Sequence, residues 1–303
     1  MKNHVAIVSH DAGGAEILSS WLKRTNYLAS VVAAGPAERI FRQKCPKADF
    51  LKLDEALIKC SWLLSGTGWE SNFELQAISK AGDLGIKTIA FLDHWVNYRE
   101  RFEYNGSIIL PDEIWVGDTE AERIARHLFD QTPVLLKPNP YFEDLLNEIA
   151  VIQKVKFKPK KARVLYVCEP IADHALKQHG NDRHWGYTEH DALRFFLSNI
   201  SALCQPIDSI TIRPHPSERE GKYQWANSVT SLSIQFGGQK TLLEEILEST
   251  IVVGCESMAM VVGLLAKKQV ISSIPPGGRP CQLPHLDIEN LQNLIGSKGY
   301  YHD

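Results

Sequence analysis

The sequence predicts an α/β protein built from two successive parallel sheets. Short apolar runs rich in β-branched residues alternate with longer stretches of helical periodicity, and one basic, proline-containing stretch interrupts the alternation. Alternating strands and helices are typical of parallel sheets covered by helices on both faces. The interruption at residues 154–162 has no apolar face, so we interpret it as a linker. We predict two domains, residues 1–155 and 156–303, that face each other across a cleft.

The first half contains six predicted strands, and helical stretches follow or separate them. The run from Thr119 has Glu122 three residues later, the layout of a capping box, which predicts that a helix begins at Thr119. The predicted strands are Val5–Ser9, Ser30–Ala34, Trp62–Ser65, Lys87–Leu92, Glu113–Gly117 and Val134–Leu136. The predicted helices are Ala15–Arg24, Ala37–Lys44, Ser71–Ala81, Thr119–Phe129 and Tyr141–Val155.

The second half repeats the same alternation after the linker. Its predicted strands are Arg163–Val167, Ser209–Arg213, Leu232–Phe236, Ile251–Val253 and Val270–Ile274. Its predicted helices are Glu189–Leu203, Leu242–Leu247, Ser257–Lys267 and Asp287–Ile295. Two such halves each have enough apolar residues for a core of their own.

Composition excludes several classes of protein. A chain of 303 residues with 44% hydrophobic and 23% charged residues is not a disordered chain, and its length suits two domains. The net charge of −3 argues against a nucleic-acid partner. No apolar run approaches the ~18 residues of a membrane helix, so we expect no transmembrane segment. The six cysteines form no C-x-x-C pair, which favours reduced thiols and a location in the cytoplasm, including the inner face of the cell membrane.

The residues that follow the first predicted strand are candidates for catalysis. Ligands of open α/β sheets bind beyond the carboxyl ends of the strands. Here His10 and Asp11 are titratable groups at a strand-to-helix turn, where a general base can act. Gly13 and Gly14 let the main chain approach a ligand, which we predict to be the acceptor. The alternative is that Asp11 caps the next helix and His10 packs on the turn.

Two further loops of the first half are candidates for acceptor binding. Thr67 lies among small residues after Trp62–Ser65, although a plain tight turn is the alternative there. Asp93, His94 and Trp95 follow Lys87–Leu92, and carboxylates with aromatic rings suit sugar recognition. The alternative is a structural loop that Trp95 fills.

The loop after Ser209–Arg213 has the chemistry of a phosphate site. Arg213 and His215 are cationic or hydrogen-bonding partners for phosphate, and prolines on both sides of His215 stiffen the loop. Pro216 and Ser217 complete this stretch, which we predict to bind the donor.

The turn after Ile251–Val253 is a second candidate for the donor phosphate. Gly254 relaxes the turn, and Ser257 with the amides of the helix that follows forms a seat for an anion. Glu256 and Met258 flank that seat, and Glu169 ends the first strand of this half and borders it. The alternative is an ordinary serine N-cap.

These second-half motifs resemble those of known glycosyltransferases. RPHPSE followed by Lys222 and Tyr223, and the stretch TLLEEILESTIVVGCESMAMVVGLLAKKQVISS, resemble the His-Pro motif and the Ser motif of bacterial sialyltransferases and polysialyltransferases. Related patterns occur in transferases of other nonulosonic acids and in teichoic-acid polymerases. The resemblance implies the GT-B fold, in which two Rossmann-like domains face each other across a cleft. It also implies that His215 and Ser257 contact the phosphate of a CMP-sugar and that an acidic residue, here Asp11, is the base. Asp11-Ala12-Gly13 matches the acidic motif of those families in part.

These observations predict an inverting glycosyltransferase, and the resemblance implies a CMP-nonulosonic acid donor and a place in bacterial surface glycan synthesis. The partners are the nucleotide-sugar donor and a glycan or glycolipid acceptor, and peripheral association with a membrane is compatible with the sequence. No Asp-x-Asp occurs in the chain, so we expect no metal and no cofactor besides the co-substrate. One alternative is a nucleotide-sugar hydrolase or 2-epimerase of the same fold, with Asp93 and Glu256 as its carboxylates. Another is a non-catalytic nucleotide-sugar-binding protein.

Overall fold

The computed structural model describes residues 4–68, 71–152, 161–203 and 205–298. The chain divides into two compact units, residues 1–144 (unit 1) and 145–303 (unit 2). Most of the linker predicted at 154–162 lies outside the described residues. The helix Pro140–Ile152 (α6) contains the boundary between the two units.

Unit 1 contains a seven-stranded parallel sheet with the strand order β3-β2-β1-β4-β5-β8-β9. The strands are His4–Ser9 (β1), Leu28–Ala33 (β2), Asp49–Phe50 (β3), Trp62–Ser65 (β4), Lys87–Leu92 (β5), Glu113–Val116 (β8) and Val134–Leu136 (β9). Glu103–Tyr104 (β6) and Ser107–Ile108 (β7) form a separate antiparallel hairpin. The helices are Ala12–Lys23 (α1), Gly35–Lys44 (α2), Leu53–Lys59 (α3), Phe73–Asp83 (α4) and Thr119–Leu128 (α5).

The sheet of unit 1 is buried on both faces, as its sequence predicts. Val5, Ala6, Ile7 and Val8 of β1 are each 0% exposed, because helices cover both sides of a central parallel strand. Parallel strands end at one edge of the sheet, so the loops after β1, β4, β5 and β8 follow one another along that edge. This edge carries every candidate residue of the first half.

Unit 2 contains a six-stranded parallel sheet with the order β12-β11-β10-β13-β14-β15. The strands are Ala162–Val167 (β10), Ile207–Arg213 (β11), Ser233–Phe236 (β12), Ile251–Gly254 (β13), Gln269–Ser272 (β14) and Ile288–Asn290 (β15). The helices are Ile171–His179 (α7), Glu189–Ser198 (α8), Leu242–Glu248 (α9), Met258–Leu265 (α10) and Leu291–Lys298 (α11). Short 3₁₀ helices occur at Glu100–Phe102 in unit 1 and at Ile200–Ala202 and Gln224–Ser228 in unit 2.

The prediction of an α/β chain with two successive parallel sheets is confirmed, and several elements differ in detail. The side chain of Asp118, rather than that of Thr119, caps α5: its Oδ1 accepts a hydrogen bond of 2.8 Å from Ala121 N. The segment predicted as one helix, Asp287–Ile295, is the strand β15 followed by α11, because its first residues pair with β14. The sequence analysis also missed β3, which has two residues, and the short helices α3 and α7.

An aromatic cluster packs against the core of unit 1. It consists of Trp21, Tyr27, Trp62 and Trp115, with ring centroids 5.6–6.3 Å apart. Trp21 stacks on Tyr27, and Trp62 meets both rings edge to face. Such pairs add packing energy of about 0.5–1.5 kcal/mol each to the burial of the rings.

Two further properties concern the chain as far as the structure describes it. None of the described helices has the length and apolar character needed to cross a membrane. The five described cysteines are all free thiols.

Candidate active site

Glycines bring the loops at the carboxyl edge of unit 1 into contact. A Cβ on Gly14 would stand 3.1 Å from Cα of Gly66, so the loop after β1 and the loop after β4 pack backbone to backbone. The missing side chain of Gly13 leaves the space that the carboxylate of Asp93 occupies. The open sides of both glycines therefore face protein atoms, and these contacts hold the three loops together.

His10 and Asp11 form a hydrogen-bonded pair at this edge. Nδ1 of His10 lies 2.7 Å from Oδ1 of Asp11, and the side chains are 27% and 24% exposed. Asp11 occupies the N-cap position of α1, but its side chain makes no hydrogen bond to the helix amides. The alternative in which Asp11 caps the helix therefore does not describe how this carboxylate is used. A carboxylate that binds one imidazole nitrogen fixes the orientation of the ring and its tautomer.

Gly35 determines where the imidazole ring of His10 lies. This glycine has a φ of +54°, and a Cβ there would stand 2.6 Å from Nε2 of His10. Only glycine combines that backbone conformation with so close an approach. The amide N–H of Ala37 donates to the carbonyl of His10 at 3.0 Å, which joins the loop after β1 to the start of α2.

Glu74 is one residue of this edge that the sequence analysis missed. It lies in the first turn of α4, is 2% exposed, and accepts a hydrogen bond of 2.6 Å from His10 N. Burial raises the pKa of its carboxyl group, and the negative charge of Asp11 raises it further. No local sequence signal points to Glu74, because a glutamate in the first turn of a helix is common.

Asp93 forms a buried ion pair with Arg101. The guanidinium nitrogen Nη1 of Arg101 lies 2.7 Å from Oδ1 of Asp93, and the two side chains are 5% and 12% exposed. Arg101 also donates to the carbonyl of Val96 at 3.1 Å and to the carbonyl and hydroxyl of Thr67. The structure thus places Thr67 and Asp93, both predicted for acceptor binding, in one network around an arginine that the sequence analysis did not single out.

The ring of Trp95 is 6% exposed. Its indole N–H donates to Oδ2 of Asp118 at 2.9 Å, while Oδ1 of the same carboxylate caps α5. The ring of His94 meets Trp95 edge to face with the centroids 5.5 Å apart. This geometry matches the alternative in which Trp95 fills a structural loop.

In unit 2, the carboxylate of Glu169 occupies the seat predicted for an anion. Its Oε1 accepts hydrogen bonds from Cys255 N at 2.8 Å and from Glu256 N at 3.0 Å. Desolvation raises the pKa of Glu169 to about 7, and the nearby charge of Glu256 contributes to the rise although the amides oppose it. The turn between β13 and α10 therefore binds an anionic group of the protein itself.

The other residues of this turn have local partners. Ser257 is the N-cap of α10, which begins at Met258, and the Ser257 Oγ accepts from Ala259 N at 3.1 Å. The carboxylate of Glu256 forms an ion pair with Arg279 and accepts from Gln282 N at 3.1 Å. Gly254 is required for packing, since a Cβ there would stand 2.8 Å from Cγ2 of Val167.

Arg213 is held at the end of β11 by contacts within unit 2. Its Nη1 lies 2.7 Å from Oε2 of the buried Glu245 and donates to the carbonyl of Lys240 at 3.0 Å. The guanidinium group that we predict to bind phosphate thus already forms an ion pair with Glu245, which lies 32 positions away in the sequence.

His215 is exposed at the same edge, and its loop is ordered by hydrogen bonds. The amide of Ser217 donates to Nδ1 of His215 at 3.2 Å, and the Ser217 hydroxyl lies 2.7 Å from the same nitrogen. We therefore assign the proton of the neutral imidazole to Nε2, the atom that can donate to a phosphate oxygen. Pro216, between these two residues, is also exposed.

A buried ionic network supports the His215 loop from below. Oε2 of Glu218 accepts from His215 N at 2.8 Å, while its Oε1 accepts from Lys222 Nζ at 2.8 Å and from the Tyr223 hydroxyl at 2.5 Å. Lys222 forms a second ion pair with Glu189, the first residue of α8. Residues 218–222 are not helical, so the i,i+4 spacing of Glu218 and Lys222 did not predict the pair from sequence.

No group of three or more potential metal ligands converges within residues 4–68, 71–152, 161–203 and 205–298. The candidate residues are acid, base and hydrogen-bonding groups that form one cluster in each unit. One cluster follows β1, β4 and β5 in unit 1, and the other follows β10, β11 and β13 in unit 2.

The two parallel-sheet units are Rossmann-like domains, and the chain has a fold of the GT-B class. A UDP-GlcNAc 2-epimerase from Methanocaldococcus jannaschii matches 98% of this chain and 92% of its own with a TM-score of 0.59 and 11% identity. S. aureus MnaA, in a structure with UDP, matches 100% of this chain and 89% of its own with a TM-score of 0.62 and 10% identity. The kitacinnamycin glycotransferase matches 98% and 84%, with a TM-score of 0.54 and 11% identity.

These likenesses concern the fold alone, because identities of 10–11% are too low to transfer a reaction or a residue role. No protein-family model and no curated protein matches the chain significantly by sequence.

Proposed function

We propose that the protein is a glycosyltransferase that takes its sugar from a nucleotide-activated donor. The observation that carries the proposal is the turn between β13 and α10, whose amides at Cys255 and Glu256 hold the carboxylate of Glu169. Amides that bind a carboxylate oxygen offer the same hydrogen bonds to a phosphate oxygen. The hydrogen-bonded pair of His10 and Asp11 supplies the base that glycosyl transfer also needs.

In the proposed donor site, a phosphate oxygen replaces the Glu169 carboxylate at the turn. Glu169 then takes up a proton or moves into solvent. Nε2 of His215 donates to a second phosphate oxygen, and Ser257 with Met258 forms the helix start beside it. Hydrogen bonds that strengthen as charge develops on the departing phosphate stabilise the transition state.

In the proposed acceptor site, Asp11 is the general base. The acceptor oxygen forms a bond to the anomeric carbon while the bond from that carbon to the donor phosphate breaks, and the acceptor proton passes to Asp11. A single displacement of this kind inverts the anomeric configuration. His10 is the competing base, since an imidazole held by a carboxylate can accept the proton at Nε2.

The finer assignment is a CMP-nonulosonic acid donor and a glycan or glycolipid acceptor of a bacterial surface. It is supported by the sequence resemblance around His215 and Ser257. We propose metal-independent transfer, because the sequence has no Asp-x-Asp and the anion-binding turn with His215 can neutralise the leaving group. The proposed place of action is the cytoplasm, including the inner face of the cell membrane.

A second candidate is a 2-epimerase or hydrolase that acts on a nucleotide sugar without an acceptor. Its support is the fold shared with the archaeal UDP-GlcNAc 2-epimerase and with the MnaA structure that holds UDP. The carboxylates considered for this reaction are Asp93 and Glu256. Each forms an ion pair with an arginine, Asp93 with Arg101 and Glu256 with Arg279.

Two measurements test the proposal. Thermal-shift screening against CMP, UDP, GDP and CDP identifies the nucleotide, because a ligand at 100-fold over its Kd stabilises by about 2.7 kcal/mol. Release of CMP from CMP-sialic acid is then followed with and without a sialylated glycan acceptor, in EDTA. We expect release that depends on the acceptor and continues in EDTA.

The other outcomes are distinct. Release without an acceptor indicates a hydrolase, and conversion of UDP-GlcNAc to its 2-epimer indicates an epimerase. Stabilisation by a nucleotide with no turnover of either donor indicates a binding protein. Activity lost in EDTA and restored by Mg²⁺ contradicts metal-independent transfer.

A further inference from the structure

Glu74 is buried, yet one of its carboxylate oxygens has no hydrogen-bond partner among the described residues. Oε1 accepts from His10 N at 2.6 Å, whereas Oε2 is inaccessible and unsatisfied. Leaving a buried carboxylate oxygen unsatisfied is costly, so a structural explanation for it is needed.

The unsatisfied oxygen borders the same glycine as an oxygen of Asp11. A Cβ on Gly68 would stand 3.1 Å from Oε2 of Glu74 and 2.9 Å from Oδ2 of Asp11. Both oxygens border the same small space, which exists because residue 68 has no side chain. Asp11 uses its other oxygen, Oδ1, for the bond to His10. Each carboxyl group thus has one oxygen bound to His10 and one that borders the space at Gly68.

Electrostatics couples Glu74 to the groups of the candidate base. Burial raises the pKa of Glu74, and the charged groups that act on it are Asp11, which raises it, and His10, which lowers it. Burial and the nearby negative charge therefore both favour the protonated form of Glu74.

The usual structural roles of a buried glutamate do not account for Glu74. Its side chain does not cap α4. No lysine or arginine among the described residues pairs with it, whereas the buried Glu189 and Glu245 pair with Lys222 and Arg213. Within the part of the chain that the structure describes, its one side-chain hydrogen bond is to the main chain of a residue in the candidate base.

We infer that Glu74 is a positioning residue for the His10–Asp11 base: one oxygen fixes the main chain of His10, and the other borders Gly68 beside Oδ2 of Asp11. This inference rests on the proposed function for its catalytic meaning. A neutral Glu74 leaves the base with a single negative charge, and ionised Glu74 adds a second charge beside it.

Titration of His10 by ¹⁵N NMR in wild type and in Glu74→Gln tests the inference without any turnover. The glutamine side chain keeps the oxygen that accepts from His10 N but cannot ionise. We expect two inflections in the wild-type imidazole titration and one in the variant. Glu113→Gln is the matched control, since Glu113 lies at the opposite end of the same sheet and pairs with Lys87, and it should keep both inflections.

Superimposable titrations of wild type and Glu74→Gln would overturn the inference. If Glu74→Gln does not give a native spectrum, ¹³C NMR titration of the Glu74 carboxyl carbon in wild type decides, because a carboxyl group coupled to the base should show a second step where His10 titrates. Where transfer is measurable, kcat/KM is measured against pH. Ionisation of Glu74 should change the slope of the wild-type profile, and the profile of Glu74→Gln should lack that change. If wild type shows the two-step titration and the variant one step, but neither protein transfers sugar, the result would contradict the proposed function and not this inference.

Discussion

The carboxylate of Glu169 accepts hydrogen bonds from the amides of Cys255, at 2.8 Å, and Glu256, at 3.0 Å, across 86 and 87 positions of sequence. This contact joins the loop after β10 to the turn before α10. The Glu169 carboxylate therefore stabilises the candidate donor site and also competes with any anion for the same two amides.

Glu169 should make stability depend on pH in one direction. Its pKa is raised from the ordinary value of 4.5 to about 7, so between these values the folded chain holds more protons than the unfolded chain. The contribution of Glu169 to the free energy of unfolding therefore falls as pH rises through this window, by at most about 3 kcal/mol. Urea unfolding should show that the free energy of unfolding of wild type falls between pH 5 and pH 8, and Glu169→Gln should lack this fall. Equal falls in both proteins would contradict the prediction.

Glu169→Gln should also strengthen nucleotide binding at alkaline pH. At pH 8 the ionised Glu169 competes with phosphate for the turn amides, and a neutral glutamine competes less. We expect the Kd for CMP, measured by calorimetry, to fall about tenfold, which corresponds to about 1.4 kcal/mol. Glu218→Gln is unsuitable as a control because it disturbs the His215 loop. Glu248→Gln, an exposed glutamate paired with Lys240, is suitable and should leave the Kd unchanged.

His215→Ala should weaken CMP binding by about 1.5–3 kcal/mol, the range for a hydrogen bond to a charged group. The side chain is exposed, so its removal should leave the melting temperature close to that of wild type. His179→Ala is the control, because His179 is an exposed histidine of unit 2 whose ring stacks on His184 instead. An unchanged Kd for CMP in folded His215→Ala would remove His215 from the donor site.

Asp11→Asn should reduce kcat by about 10² or more while donor affinity stays the same. Asparagine can still accept from Nδ1 of His10, but it cannot take a proton from the acceptor. Because the Asp11 side chain makes no capping hydrogen bond to α1, the melting temperature should also be retained. Near-normal kcat in Asp11→Asn would transfer the role of base to His10, which His10→Ala would then test.

Arg101→Met should destabilise unit 1 by about 3–5 kcal/mol, because it leaves the buried Asp93 without its counter-charge. The double variant Arg101→Met with Asp93→Asn should recover a large part of that loss, since it removes the unpaired charge as well. Urea unfolding of the three proteins measures this. A single variant as stable as wild type would show that Asp93 is solvated and available to a ligand.

The main strands of both sheets were predictable because their signal is local. β1 and β5 are apolar runs bounded by polar residues, and burial on both faces of a parallel sheet produces that pattern. β15 was not predictable in the same way, since it has three half-buried residues and is a strand only because β14 lies beside it.

The candidate site was predictable in its location but not in its contacts. His10, Asp11 and His215 lie at strand ends, as the sequence predicts. The ion pair of Asp93 with Arg101 and the bond from His10 N to Glu74 depend on which strands are neighbours, and a single sequence does not encode that order locally. The partner of Arg213, Glu245, belongs to α9 for the same reason.

The aromatic cluster of unit 1 gives the protein a built-in spectroscopic probe. The indole rings of Trp21, Trp62 and Trp115 lie close enough for their excited states to couple, which produces intense near-ultraviolet circular dichroism. In unit 2, the ring of Trp185 lies 5.1 Å from the guanidinium of Arg279, the partner of Glu256, so its emission should respond to changes at the turn between β13 and α10. Melting of unit 1 can therefore be followed by near-ultraviolet dichroism in the unlabelled protein.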